Sequence, residues 1–142
     1  MLTSINITHI WVFDQNKALE FYVGKLGLEV SGDVDLGPMR WLTVRVPGQP
    51  GRDILLEKIG PPSVDPEAAE KIRELIAKGA SGYTAGFTTS DCQAVFKDLE
   101  AKGVEITQEP VKQVYGTDIG IRDPLGNHIR IVQLADAPPQ QA

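Results

Sequence analysis

Two stretches of this chain carry the same punctuation in the same order. Asp14 is followed by an apolar-periodic run and then by Lys25-Leu26-Gly27-Leu28-Glu29-Val30. Asp91 is followed by a similar run and then by Ala101-Lys102-Gly103-Val104-Glu105-Ile106. In each, an aspartate suited to capping a helix opens the run, a glycine suited to ending it closes the run, and a strand begins at once. The two spacings agree to about one residue, which is the signature of a duplicated unit that buries its apolar face the same way twice. A chain organised like this folds as two copies of one motif, which constrains it more tightly than composition does.

The first copy opens with a β-branched and aromatic run, Ile5 to Phe13, that reads as a strand. Asp14 caps a helix through Leu26, with Leu19, Tyr22 and Leu26 at helical spacing. Strands are expected over Leu28–Val34, Trp41–Val46 and Ile54–Ile59, separated by Gly37-Pro38 and by Pro47-Gly48-Gln49-Pro50-Gly51. The second copy has a strand over Tyr83–Thr89, a helix from Asp91 to Lys102, and a strand beginning at Val104. Two more are expected around Val111–Ile121 and Asn127–Leu134. Each copy therefore reads strand–helix–strand–strand–strand. The organisation expected is a first module over 1–60, a linker helix within 61–80 that runs from Pro66 to Lys78, a second module over 81–135, and a disordered tail over 136–142.

Bulk properties narrow the function classes. The chain has 142 residues, 42% of them hydrophobic, and a net charge of −5 with both signs scattered. No basic stripe points to nucleic acid, and no apolar run is long enough for a membrane span. The first residues lack the layout of a signal peptide, and Cys92 stands alone, so a cytoplasmic protein with a structural cysteine is expected.

Alternation assigns faces. Leu42, Val44 and Val46, Ile54 and Leu56, Ala85 and Phe87, and Ile129 and Ile131 form apolar faces that can pack on helices. The opposite faces carry Trp41, Thr43, Arg45, Glu57, Thr84, Thr88, His128 and Arg130, with Ile7, His9, Trp11 and Phe13 from the first strand. That mixture of aromatic and polar groups fits a ligand cleft; the plainer alternative is an open sheet with one wet side.

These motifs resemble the vicinal oxygen chelate superfamily, which includes glyoxalase I, extradiol dioxygenases, and fosfomycin- and bleomycin-resistance proteins. The resemblance is carried by Asp14 with Phe21-Tyr22 and Lys25-Leu26-Gly27-Leu28, by Phe87, Asp91 and Leu99-Glu100-Ala101-Lys102-Gly103-Val104, and by Asp123-Pro124-Leu125-Gly126-Asn127. It implies an α+β fold of two tandem βαβββ modules forming an open cupped mixed β-sheet, with helices on the outer face, usually in a homodimer.

In metal-using members, ligands lie on the first and last strands of each module. Matched by motif, those positions fall on Ile7, Glu57, Thr84 and Arg130, so only Glu57 keeps a ligand. Isoleucine cannot ligate, and a fixed cation repels a dication. The resemblance thus implies a protein without the usual cofactor, in which Arg130 pairs with Glu57 across the sheet. It would bind a small aromatic or amphipathic molecule, with Trp11, Trp41 and Tyr115 supplying stacking area. Glu57, Arg130, His9 and His128 would supply orienting polar contacts, with Arg45, Arg122 and Thr84 as further ligand-binding candidates.

The alternative is a metal-dependent lyase, isomerase or extradiol-type dioxygenase. Glu57 with the displaced His9 and His128, the chain's two histidines, would then hold Fe, Mn, Ni or Zn or act in acid–base catalysis. A purely structural or interaction protein is a third reading.

Overall fold

The computed structural model describes residues 1–136, so all but the first residue of the expected tail lies outside the described residues. The chain divides into two units, Met1–Lys78 and a second from Gly79 onward. The first contains β1 (Ile7–Val12), α1 (Gln15–Tyr22), β2 (Glu29–Asp35), β3 (Arg40–Arg45), β4 (Asp53–Lys58) and α2 (Pro66–Ala77). The second contains β5 (Tyr83–Thr88), α3 (Cys92–Ala101), β6 (Glu105–Gln113), β7 (Gly116–Arg122) and β8 (His128–Leu134). Each unit holds one open four-stranded sheet, ordered β1-β4-β3-β2 and β5-β8-β7-β6. In both, the first strand pairs in parallel with the last, and the remaining pairs are antiparallel. The duplicated βαβββ motif and the α+β class expected from the repeat are what the backbone shows.

The capping logic holds at both helices. Asp14 accepts hydrogen bonds from the Asn16 and Lys17 amides at 2.9 and 3.0 Å, and Asp91 accepts one from Ala94 at 3.0 Å. At the end of α3, Gly103 takes φ +76°. Its amide bonds to Glu100, and that of Val104 bonds to Leu99, which satisfies the last carbonyls. The first helix ends earlier than its periodicity suggests. It stops at Tyr22, because the Lys25 and Leu26 amides both reach back to the Phe21 carbonyl and close a wider turn before Gly27.

Helices α1 and α3 each pack on the apolar side of their own sheet. In the first unit Ile10, Val12, Leu42, Val44 and Leu56 are buried, as are Ala18, Phe21 and Tyr22 of α1. In the second, Ile119, Ile121, Ile129 and Ile131 are buried, as are Cys92 and Leu99 of α3. Cys92 is wholly buried and its thiol pKa is pushed up, first by burial and then by the nearby Asp118 carboxylate, which fits a structural cysteine. The linker helix α2 falls with the first unit, where the Arg73 guanidinium lies 3.7 Å from the centroid of the Phe13 ring.

The strand expected over Val111–Ile121 is two strands. The real β6 begins at Glu105 and runs through Gln113, and a tight turn at Val114 and Tyr115 leads into β7. Pro110 sits inside β6 where the register shifts between Gln108 and Val111, so the missing amide falls at an irregularity of the ladder.

The Asp123-Pro124-Leu125-Gly126-Asn127 segment is a hydrogen-bonded knot. Asp123 Oδ1 accepts from the amides of Leu125, Gly126 and Asn127 at 3.0, 3.0 and 2.8 Å, and its Oδ2 accepts from Asn127 Nδ2 at 2.8 Å. Thr84 then donates to Asn127 Oδ1 at 3.2 Å, which ties β5 to the turn.

Candidate functional site

The side of each sheet away from its helix carries the candidate residues. In the first unit, the cross-strand row His9–Leu55–Thr43–Gly32 fixes the parity. Alternation along the strands then places Trp11, Glu57 and Trp41 on that same side. His9, Glu57 and Trp11 interact closely. His9 Nδ1 lies 3.0 Å from Glu57 Oε1, and the His9 and Trp11 rings meet edge to face with centroids 4.8 Å apart. Ser63, in the loop after β4, donates its hydroxyl to the other Glu57 oxygen. The carboxylate is thus held from both sides, and its side chain is 16% exposed against 46% for His9.

A cavity of about 170 Å³ opens beside this pair, lined in part by Gln15, Met39, Arg40, Glu57, Lys58 and Ser63. Gln15 positions its wall by donating to the Arg40 and Leu56 carbonyls at 3.1 and 2.9 Å. Arg40 is itself held by Asp33 through two bonds of 2.9 Å, which raise the guanidinium pKa and lower that of the carboxylate.

The second unit is arranged differently. Arg130 of β8 donates to Asp118 of β7 and, at 3.1 Å, to Gln108 of β6. Gln108 donates to Asp118 Oδ1 at 3.1 Å, and the Tyr115 hydroxyl donates to Asp118 Oδ2 at 2.7 Å. Asp118 is almost fully buried at 2% exposure. Burial works against its charged form. The bonds from Tyr115, Arg130 and Gln108, with the Arg130 charge, outweigh it and hold the carboxyl below its ordinary value. The same contacts raise the Arg130 guanidinium against its own burial and, led by the Asp118 bond, raise the Tyr115 hydroxyl. Gly120 makes room for this network, since a Cβ there would stand 2.6 Å from Thr107 Oγ1 and 2.9 Å from Arg130 Nη1. The Tyr83 ring stacks on His128 with centroids 6.1 Å apart and lies 5.3 Å from the Arg130 guanidinium carbon.

Several sequence expectations change here. Arg130 is engaged by Asp118 and Gln108 of its own sheet, and Glu57 by His9 and Ser63 of its own unit. Tyr115 turns its hydroxyl to Asp118. Thr84 is drawn to Asn127, because a register shift between Tyr83 and Ala85 gives its place beside His128 to Tyr83. Arg45 and Arg122 occupy equivalent places in the repeat, and each forms a cross-strand ion pair, with Glu29 at 2.9 Å and with Glu105 at 3.2 Å. Sequence reading missed Ser63, Tyr83, Gln108 and Asp118. Only Asp118 left a signal, a lone acidic residue on the strand that holds Ile119 and Ile121.

A family model for the glyoxalase/bleomycin resistance protein/dioxygenase superfamily matches residues 4–131. The chain belongs to this superfamily. It is 38% identical over 130 residues to the protein YurT of Bacillus subtilis (strain 168), covering 91% of this chain and 98% of YurT. The crystal structure of UcmS2 superposes with a TM-score of 0.87 at 37% identity, covering 93% of this chain and 98% of UcmS2. TnmS3, an antibiotic binding protein from Streptomyces sp. CB03234, superposes with a TM-score of 0.74 at 25% identity, covering 94% of this chain and 98% of TnmS3.

At the four positions where the superfamily's metal-using members place ligands, the residues do not fit a dication. Ile7 has no donor atom, the Thr84 hydroxyl is bonded to Asn127, and Arg130 carries a fixed charge already engaged by Asp118. Glu57 is the one ligating side chain at its position. No helix among the described residues is long and apolar enough to cross a membrane.

Proposed function

We propose that this chain binds a small aromatic or amphipathic molecule on the open face of its first sheet, without the superfamily's usual metal. The observation that carries the reading is the grouping on that face. The Trp11 ring stands against a His9–Glu57 pair, with the indole of Trp41, 36% exposed, on the same side. Rigid aromatic area beside a few fixed polar groups is the composition of a small-molecule site. The likeness to TnmS3, an antibiotic binding protein, supports sequestration of an aromatic antibiotic as one form of this activity. A homodimer in the cytoplasm is the setting we expect for it.

The test is titration of the purified protein with a panel of aromatic antibiotics, read by quenching of tryptophan fluorescence. Binding is expected, and Trp11→Ala or Trp41→Ala should weaken it by about tenfold, as loss of an aromatic anchor does. Binding that neither substitution changes would place the ligand elsewhere.

The 3.0 Å contact between His9 and Glu57 also favours a second reading, in which the two supply part of a rearranged metal set for a lyase, isomerase or dioxygenase. Metal stoichiometry separates the two. One tight Fe, Mn, Ni or Zn per chain, abolished by Glu57→Ala, supports the enzyme; no specific metal supports the binding protein.

A further inference from the structure

The Glu57 carboxylate can only accept hydrogen bonds when ionised. Its Oε2 receives the Ser63 hydroxyl, and its Oε1 faces His9 Nδ1 at 3.0 Å. The His9 nitrogen that meets it must therefore carry the proton, since two acceptors at that distance repel. A neutral imidazole holds one proton, so a donor at Nδ1 leaves a lone pair at Nε2. A carboxylate fixing one ring nitrogen, and so deciding the role of the other, is the same logic that orients metal-bound and catalytic histidines.

Three further observations bear on His9. Its side chain is 46% exposed, so the ring is within reach of an incoming group. Trp11 meets the ring edge to face and limits its rotation. The backbone beneath is rigid, because Ile10 and Val12 on the opposite side of β1 are buried and β1 is laddered to β4 from Ile7 to Val12. His128 offers a contrast: its Nε2 is buried with no hydrogen-bond partner and the exposed Tyr83 ring stacks on its imidazole.

From this geometry we infer that His9, locked as its Nδ1–H tautomer by Glu57 and Ser63, presents Nε2 as the hydrogen-bond acceptor of the first sheet. The ligand it selects is an aromatic molecule bearing a hydroxyl or N–H donor. The inference rests on the binding reading above and deepens it by naming the class of ligand. Trp11 and Trp41 recognise flat apolar area of any kind; His9 discriminates among such molecules by asking for a donor. A ligand lacking one would leave the lone pair desolvated and unpaired, and buried unpaired polar atoms are what make hydrogen-bonding sites selective.

The experiment has two arms. The first needs no ligand. Two-bond ¹H–¹⁵N correlation spectra of the full-length protein, at about pH 8.5 where an ordinary imidazole is neutral, report which His9 nitrogen carries the proton. The expected result is Nδ1–H in the wild type, shifting to the Nε2–H form usual in water in Glu57→Ala. Ser63→Ala, a surface change that leaves the sheet intact, should give a mixture of the two. Nε2–H in the wild type overturns the proposal.

The second arm compares naphthol with its methyl ether, which share a ring system and differ in the donor. Naphthol should bind the wild type about fivefold more tightly, the worth of one net hydrogen bond, and His9→Phe should erase the difference. Equal affinity in the wild type overturns the acceptor role while leaving aromatic binding in place. Absence of binding by either overturns the ligand class together with the reading on which it rests.

Discussion

The two units share one topology and differ in what their exposed sheet faces do with charge. At equivalent positions, Glu29–Arg45 in the first and Glu105–Arg122 in the second join the second strand to the third, so the repeat survives in side chains as well as backbone. Beyond that edge the faces part. In the second unit Arg130, Asp118, Gln108 and Tyr115 satisfy one another in a closed network around a buried carboxylate. In the first, Glu57 is pinned by His9 and Ser63, the His9 side chain is 46% exposed, and its ring meets that of Trp11 edge to face. One copy of the motif closes its polar groups into cross-strand bonds, and the other pairs them with a half-exposed histidine and a loop serine, as our proposed ligand site requires. The difference shows how two copies of a duplicated scaffold can arrange their polar groups differently without changing its fold.

The comparison breaks if the two networks respond alike to mutation. The largest effect is expected at Asp118. Replacing it with alanine leaves the Arg130 charge without its partner and should lower stability by about 3 kcal/mol in a denaturant titration. A change below about 1 kcal/mol would mean that the network adds little to the fold.

The pH dependence should be next in size. The folded pKa of Asp118 lies below its ordinary value, so its contribution is present above the unfolded aspartate pKa and is lost as pH falls through the lower folded one. Tyr115 has a raised folded pKa, so its contribution is complete below the ordinary tyrosine value and is lost as pH rises through the raised one. Thermal melts across pH should therefore show an acid limb that Asp118→Asn weakens and an alkaline limb that Tyr115→Phe removes. Unchanged limbs in these variants would assign the dependence to other groups. The smallest effect belongs to Glu57. Its partners are a half-exposed histidine and a loop serine, so Glu57→Ala should cost no more than about 1 kcal/mol while it disturbs ligand binding.

Much of the fold was legible because it is written in local signals. Asp14 and Asp91 cap, Gly103 terminates α3, and the alternation around Leu42, Val44, Ile129 and Ile131 names the buried side of each sheet. Boundaries failed where a tertiary feature overrides the pattern, as in β6, where a register irregularity absorbs Pro110 and the strand runs on. The faces that carry the candidate residues were legible, and the pairing of those residues much less so. His9, Glu57, Trp11 and Trp41 were found by face, but which carboxylate meets Arg130 depends on β7, whose start was hidden in a longer predicted strand. Tyr83 was displaced onto His128 by one irregular step of register, and sequence periodicity carries no mark of it.

The claim that the first unit recognises and the second supports is tested most directly by amide ¹H–¹⁵N shift mapping during titration with naphthol. The account predicts that the perturbed residues gather on Ile7–Val12, Arg40–Arg45 and the segment 53–63, with Glu105–Gln113 and His128–Leu134 little changed. Perturbation centred on Arg130, Asp118 and Tyr115, with His9 and Trp11 unmoved, would contradict it.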